Sequence, residues 1–225
     1  MKAVIYIIST VILFILLSKL HKKYNYSFLL PILTTTIVLI IFLLLFSVPY
    51  ADYMEGGMWL QQLLGPAVVG LAYPLYNQRK LIFKYKYTIL LGIFVAMLSG
   101  LITIFAMLKI FKFENSLILT ALPKSITTPV AMQISETING IPPLTAVLVM
   151  IAGFVGALFG PLVYKIGKIN SPISRGISMG SASHGVGISK LKDFGEEDLS
   201  IGSLSMGVSA VMGAILCPLF VYIFF

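Results

Sequence analysis

Eight apolar stretches succeed one another along the chain with only short polar connections between them, at 3–20, 27–48, 58–77, 87–110, 116–138, 143–166, 174–192 and 200–225. A hydrocarbon core about 30 Å thick is spanned by roughly 20 helical residues, and several of these stretches reach that length. The pattern predicts an all-α polytopic membrane protein folded as a single transmembrane domain over 1–225. One stretch breaks the pattern. Where 116–138 should run as unbroken helix, it carries Ala121-Leu-Pro-Lys-Ser-Ile-Thr-Thr-Pro-Val130, with a lysine, three hydroxyls and two prolines. A charged side chain in hydrocarbon costs at least about 2.5–3.5 kcal/mol on insertion scales, so it survives mainly where it lines a protected cavity. Unpaired backbone groups are similarly costly there unless protein or trapped water satisfies them. A substrate or ion site built from broken helix is the expectation.

Lysine and arginine gather in three connections: Lys19, Lys22 and Lys23; Arg79, Lys80, Lys84 and Lys86; and Lys165, Lys168 and Arg175. Acidic residues mark others: Asp52 and Glu55, Glu136, and Asp193, Glu196, Glu197 and Asp198. Basic residues accumulate in cytoplasmic loops, whereas acidic ones orient little. If every stretch crossed, the third basic connection would lie opposite the first two. If 116–138 enters and leaves on one side, all three face the cytoplasm and the acidic connections face outward. The expected topology is therefore about seven crossings plus one re-entrant hairpin, with the N-terminus outside.

That topology makes 27–110 and 143–225 two triplets of opposite orientation, hence candidate inverted repeats. The middle stretch of each is interrupted, by Gly65 and Pro66 in the first and by a run through Gly180, Gly185 and Gly187 in the second. Paired interruptions of this kind point to a transporter site. At a rise of about 1.5 Å per residue, ten residues from Ser116 reach Ile126 and ten from Ser174 reach His184, each about 15 Å deep. Pro123 and Pro129 bracket the first break, and Gly65-Pro66 lies slightly shallower.

The chemistry expected at that level suits a small anion. Lys124 supplies a point charge, and Ser125, Thr127, Thr128, Ser181 and Ser183 supply hydroxyls. His184 donates, accepts or carries a proton. Glu136 is the only acidic residue within a stretch, and it lies near a mouth, so a carboxylate-lined cation site is disfavoured. Blander readings compete: a lysine that snorkels to an interface, a histidine that merely bonds a neighbouring helix, hydroxyls that bond the preceding turn. An intramembrane enzyme pairing Ser125 or Ser183 with His184 has little support, since no Gly-x-Ser-x-Gly or His-Glu-x-x-His motif accompanies them.

Composition narrows the class further. Of 225 residues 58% are hydrophobic and 11% charged, which no soluble domain matches. The net charge of +8 would suggest nucleic acid, but the basic residues sit in short loops as topology signals. One cysteine, Cys217, excludes an intrachain disulfide and reads as a packed core residue. The run at 3–18 is followed by Lys19, Leu20, His21, Lys22 and Lys23 rather than a small-residue cleavage site, so it is expected to stay as a first span. No metal and no cofactor are expected.

The chain resembles the CidB/LrgB family over nearly its whole length. The residues that carry the likeness are Tyr53-Met-Glu-Gly-Gly-Met-Trp59, Leu71-Ala-Tyr-Pro-Leu-Tyr76, Leu122-Pro-Lys-Ser-Ile-Thr-Thr-Pro129, Arg175-Gly and Ala182-Ser-His-Gly185, the first two nearer the CidB branch. The resemblance implies two functional stories. One is a holin- or antiholin-like protein that modulates murein hydrolase activity and lysis with a small CidA/LrgA-type partner. The other, through the related plastid glycolate/glycerate translocator, is a carboxylate transporter. Some members carry glutamine or arginine at the Lys124 position, so the resemblance implies a donor there. The partners admitted are a small carboxylate anion, the bilayer, the CidA/LrgA-type protein and a second copy of the chain. The expected location is the bacterial cytoplasmic membrane.

Overall fold

The computed structural model of the chain describes residues 2–24, 29, 31–63, 66, 69, 73, 76 and 79–225. These form helices joined by short turns, without a strand among them. Among the described residues four helices are long and apolar enough to cross a membrane: Ala3–Tyr24, Lys86–Ile110, Pro142–Ile166 and Glu196–Phe224. The all-helical membrane class read from the sequence stands. The chain packs as two compact units, Met1–Val69 and Gly70–Phe225.

The first unit holds α1 (Lys2–Tyr24), α2 (Pro31–Leu45) and α3 (Tyr50–Gln62). Within it α3 lies on α1, where Gly56 abuts the Ala3 carbonyl and the Tyr6 and Tyr53 rings meet edge to face, 5.8 Å between centroids. The acidic residues Asp52 and Glu55, expected in a loop, instead belong to α3, which begins eight residues before the expected stretch at 58. An acidic residue in the first turn, here Asp52, suits the positive end of the helix dipole. The expected break at Gly65-Pro66 has Gly65 outside the described residues, so its expected convergence with the other breaks lies outside them too.

The second unit continues with α4 (Arg79–Lys84), α5 (Lys86–Ile110), α6 (Asn115–Ala121), a tight 3₁₀ turn at Leu122–Ser125, α7 (Thr128–Thr137), α8 (Pro142–Ile166), α9 (Pro172–Ala182), α10 (His184–Leu191) and α11 (Glu196–Phe224). The helices α5, α8 and α11 are the long ones, and each is long enough to cross. Between them sit two broken segments. In the first, the chain runs down α6, turns at Ile126 and Thr127 in extended backbone, and returns along α7. Its return is fixed by bonds at the base: the Ile141 amide donates to Thr120 Oγ1 at 2.9 Å, and Thr145 Oγ1 lies 2.8 Å from the Thr120 carbonyl oxygen and 2.7 Å from Ser135 Oγ. The ten residues of α7 thus run back past the 3₁₀ turn, and the chain beyond its far end meets the last turn of α6 at Thr120.

The second broken segment departs from expectation. The stretch 174–192 was read as a crossing; it doubles back at Ser183 and His184. Gly202, near the start of α11, touches Leu191 on the outgoing arm and the Gly176 carbonyl on the incoming arm, so both arms begin and end at one level. Arg175 Nε donates to Asp198 Oδ1 at 2.6 Å, and its Nη1 donates to the carbonyls of Ile169 and Asn170. Tyr164, at the end of α8, donates its hydroxyl to the Arg175 carbonyl and stacks edge-on against Phe194. A helix continuing through His184 would carry Asp198 far from Arg175. The acidic residues Asp193, Glu196, Glu197 and Asp198 therefore share a face with Lys165, Lys168 and Arg175, and do not lie opposite them.

Packing follows the rule for membranes, where small residues let helices approach closely. On α9, Gly176 and Gly180 meet Ile201, Gly202 and Ser205 of α11 with no room for a Cβ. On the other side Ile89, Ile93 and Met97 of α5 join Ile126, Leu204 and Cys217 in the main apolar core.

Removing one partner of a buried ion pair leaves an uncompensated charge, at a cost of about 3–5 kcal/mol. Asp198 is 2% exposed, so Asp198→Ala should lower the midpoint of thermal unfolding in detergent far more than Asp193→Ala, whose carboxylate is exposed. Equal effects would remove the pair as the anchor of the second hairpin. The sidedness is tested with single cysteines in a Cys217→Ala background and an impermeant thiol reagent. Cysteines at Asn170 and Glu197 should label from one side of the membrane and Asn139 from the other. Glu197 labelling together with Asn139 would restore the crossing at 174–192.

Candidate functional site

Two half-length hairpins enter the second unit from opposite faces, and their tips meet. The contact is made by His184, whose Nε2 donates to the Lys124 carbonyl oxygen at 3.3 Å. His184 is 4% exposed, and its φ of 36° lies in the left-handed region. For a residue with a side chain this costs energy and persists only where the surroundings impose it. The imposition is local: Ser183 and His184 are the corner between α9 and α10, and Gly187 sits against Ser183 and Met179 with no space for a methyl group.

Beside the tips lies a cavity of about 440 Å³, within the range of small-molecule sites. Its polar lining is Ser99 and Thr103 of α5, Lys124 and Ser125 of the first tip, and Ser178 and Ser181 of α9. Among the described residues the one hydrogen-bond partner of the Lys124 ammonium is Ser125 Oγ, at 3.3 Å. The ion pairs of the second unit are elsewhere, Arg175 with Asp198 and Lys190 with Asp193. No group of three or more His, Cys, Asp or Glu residues that could hold a metal is found among the described residues. The arrangement is a half-buried cation, hydroxyls from three segments, and no neutralising carboxylate.

The residues expected from the sequence divide into groups. Lys124, Ser125 and Ser181 line the cavity. His184 touches Lys124 from behind and holds the two tips together. Ser183 is buried against α8 and does not line the cavity, and Thr127 and Thr128 form the start of α7. Pro123 sits in the 3₁₀ turn, Pro129 in the first turn of α7, where its missing amide costs nothing. Gly185, in the first turn of α10, faces open space. Ser181 also bonds the Ile177 carbonyl at 2.6 Å, as ordinary helical serines do. Ser99, Thr103 and Ser178 were not anticipated. Each is an isolated hydroxyl on an otherwise ordinary helix, and only packing shows that they face one space.

Membrane-length helices packed around two broken segments define a polytopic helical membrane protein, with a partly open pocket beside the breaks. The chain belongs to the LrgB-like family, whose model matches residues 10–223. It is 46% identical over 222 residues to the uncharacterized protein YxaC of Bacillus subtilis, covering 99% of this chain and 96% of that one. It is 34% identical to the holin-like protein CidB of Staphylococcus epidermidis over 225 residues, and 31% identical to CidB of Staphylococcus aureus over 224, in both cases covering 100% of this chain and 98% of the relative. No solved structure matches it.

The tip contact makes a prediction about stability. Losing a buried hydrogen bond and stranding its acceptor costs about 1–3 kcal/mol. His184→Ala should lower the unfolding midpoint of the detergent-solubilised protein, while His184→Gln, which keeps a donor, should recover part of the loss. No difference between the two variants would mean that the ring acts by bulk alone.

Proposed function

We propose that this protein moves small monocarboxylates, of the pyruvate, lactate, glycolate or glycerate type, across the bacterial cytoplasmic membrane. The observation that carries this reading is the Lys124 ammonium, held at the meeting of two broken segments with a neutral hydroxyl as its partner. A half-buried cation without a carboxylate beside it favours an anion, and a single charge favours a single negative charge. The hydroxyls of Thr103 and Ser125 are placed to donate to a carboxylate or oxo group, while Ser99 and Ser181, which give their hydrogens to the Ala96 and Ile177 carbonyls, can accept from a neighbouring hydroxyl. His184 bonds the Lys124 carbonyl rather than a serine hydroxyl.

A second reading is favoured by the names of the staphylococcal relatives. It is a holin-like protein that modulates murein hydrolase activity and lysis with a small CidA/LrgA-type partner. The two readings part on what the protein does alone. Purified protein in liposomes should take up members of a monocarboxylate panel. Lys124→Ala should cut that uptake about 10–100-fold, the equivalent of a charge-assisted hydrogen bond. Lys124→Arg should retain part of it, since the charge persists while the geometry changes. Both variants should reach the membrane at wild-type level. Full uptake by Lys124→Ala refutes the anion role, and absence of uptake across the panel, with murein hydrolase activity still altered in cells, favours the second reading.

A further inference from the structure

The two hairpins are followed by long helices in the same order, and the correspondence extends to single residues. The helix opening the first hairpin starts at Asn115 and the one opening the second at Pro172. The same spacing of 57 residues brings Gly156-Ala157 onto Gly213-Ala214 and Pro161-Leu162 onto Pro218-Leu219, without a gap. Pro161 and Pro218 are the prolines inside α8 and α11. It also brings the corner residue Ile126 onto Ser183.

The contacts obey the same relation. A Cβ at Gly156 would collide with Ser183, the corner of the second hairpin, and a Cβ at Gly213 would collide with Ile126, the corner of the first. Exchanging each residue for its counterpart turns one contact into the other. Sequence spacing and packing are separate observations, and both give one pairing. The orientation is inverted, because α8 and α11 run oppositely: α8 passes from Thr145, at the base of the first hairpin, to Tyr164, at the base of the second, and α11 from Asp198 to Gly213.

From this we infer that 115–166 and 172–224 are two copies of one unit inserted in opposite directions, and that their hairpin tips are the two gates of one shared pocket. The first gate seats on Gly213 and opens toward the face bearing Asn139. The second seats on Gly156 and opens toward the face bearing Asn170. This repeat differs from the one read from the sequence, 27–110 with 143–225. It deepens the transport reading and rests on it for what passes the gates, but the gating itself can be measured without a substrate.

The reporter is Ser99→Cys, which lines the pocket from α5 outside both hairpins, in a Cys217→Ala background. Its reaction with an impermeant maleimide is timed in right-side-out and inverted vesicles. Gly156→Val should prop the second gate open and raise labelling about tenfold from the Asn170 side alone. Gly213→Val should prop the first gate and raise labelling from the Asn139 side alone. Because added volume also threatens folding, Ser183→Gly and Ile126→Ala loosen the same two seats by removing atoms, and should reproduce the same two directions more weakly. Changes on the same side for both seats, or no change from any of the four variants, would overturn the inference. Opposite-sided changes together with full carboxylate uptake by Lys124→Ala would keep the gates and discard the substrate assignment.

Discussion

A helix that stops halfway through a bilayer leaves backbone amides and carbonyls without intrahelical partners, in a medium that offers none. That constraint governs the second unit. Each hairpin tip must satisfy these groups, and each packs its corner residue, Ile126 or Ser183, against a long helix and meets the other tip. The His184 side chain closes the arrangement by giving a donor to the Lys124 carbonyl. The strained backbone at His184 is the local cost of turning the chain within one residue, and the tight seats at Gly156 and Gly213 let the corners lie flush with α8 and α11. A partly open pocket beside the tips, with Lys124 in its lining, is then a by-product of geometry: two half-helices cannot fill the volume that two full ones would.

Much of the first tip was legible in the sequence. A lysine and two prolines inside an apolar run are incompatible with an ordinary span, and the charge balance of the loops places its two ends together. The break at His184 was equally visible in its glycines. That the chain reverses there was not. A stretch of about 20 apolar residues serves equally as one full helix or as two short arms, and the acidic residues after it carry no orienting weight. The deciding group was Arg175, read as a topology signal by its charge, which instead binds Asp198 across the base of the hairpin. Ser99 and Thr103 were illegible for another reason. A lone hydroxyl on an apolar helix normally satisfies itself on the preceding turn, as Ser99 does on Ala96, so nothing local distinguishes one that also faces a cavity.

The reversal at His184 also bears on the inverted units inferred above. With 174–192 as a crossing, the inverted halves had to be triplets of spans. With it as a hairpin, the halves become shorter, one hairpin and one long helix each, and residue-level correspondences fall into register. The span assignment and the choice of repeat therefore turn on a single corner of the chain.

The Lys124 ammonium has a bearing on electrical behaviour. A membrane potential contributes about 2.3 kcal/mol per elementary charge per 100 mV, so any movement that displaces a bare cation is biased by voltage. The ammonium's neighbour is a neutral hydroxyl, and compensation must come from whatever occupies the cavity. On the transport reading, a monoanion would cancel the charge and leave the loaded movement nearly indifferent to the field, while the empty protein would feel it fully. A dianion would reverse the sign of the bias. On that reading Lys124 makes the charge of the cargo, more than its shape, the quantity that the cell's voltage reads.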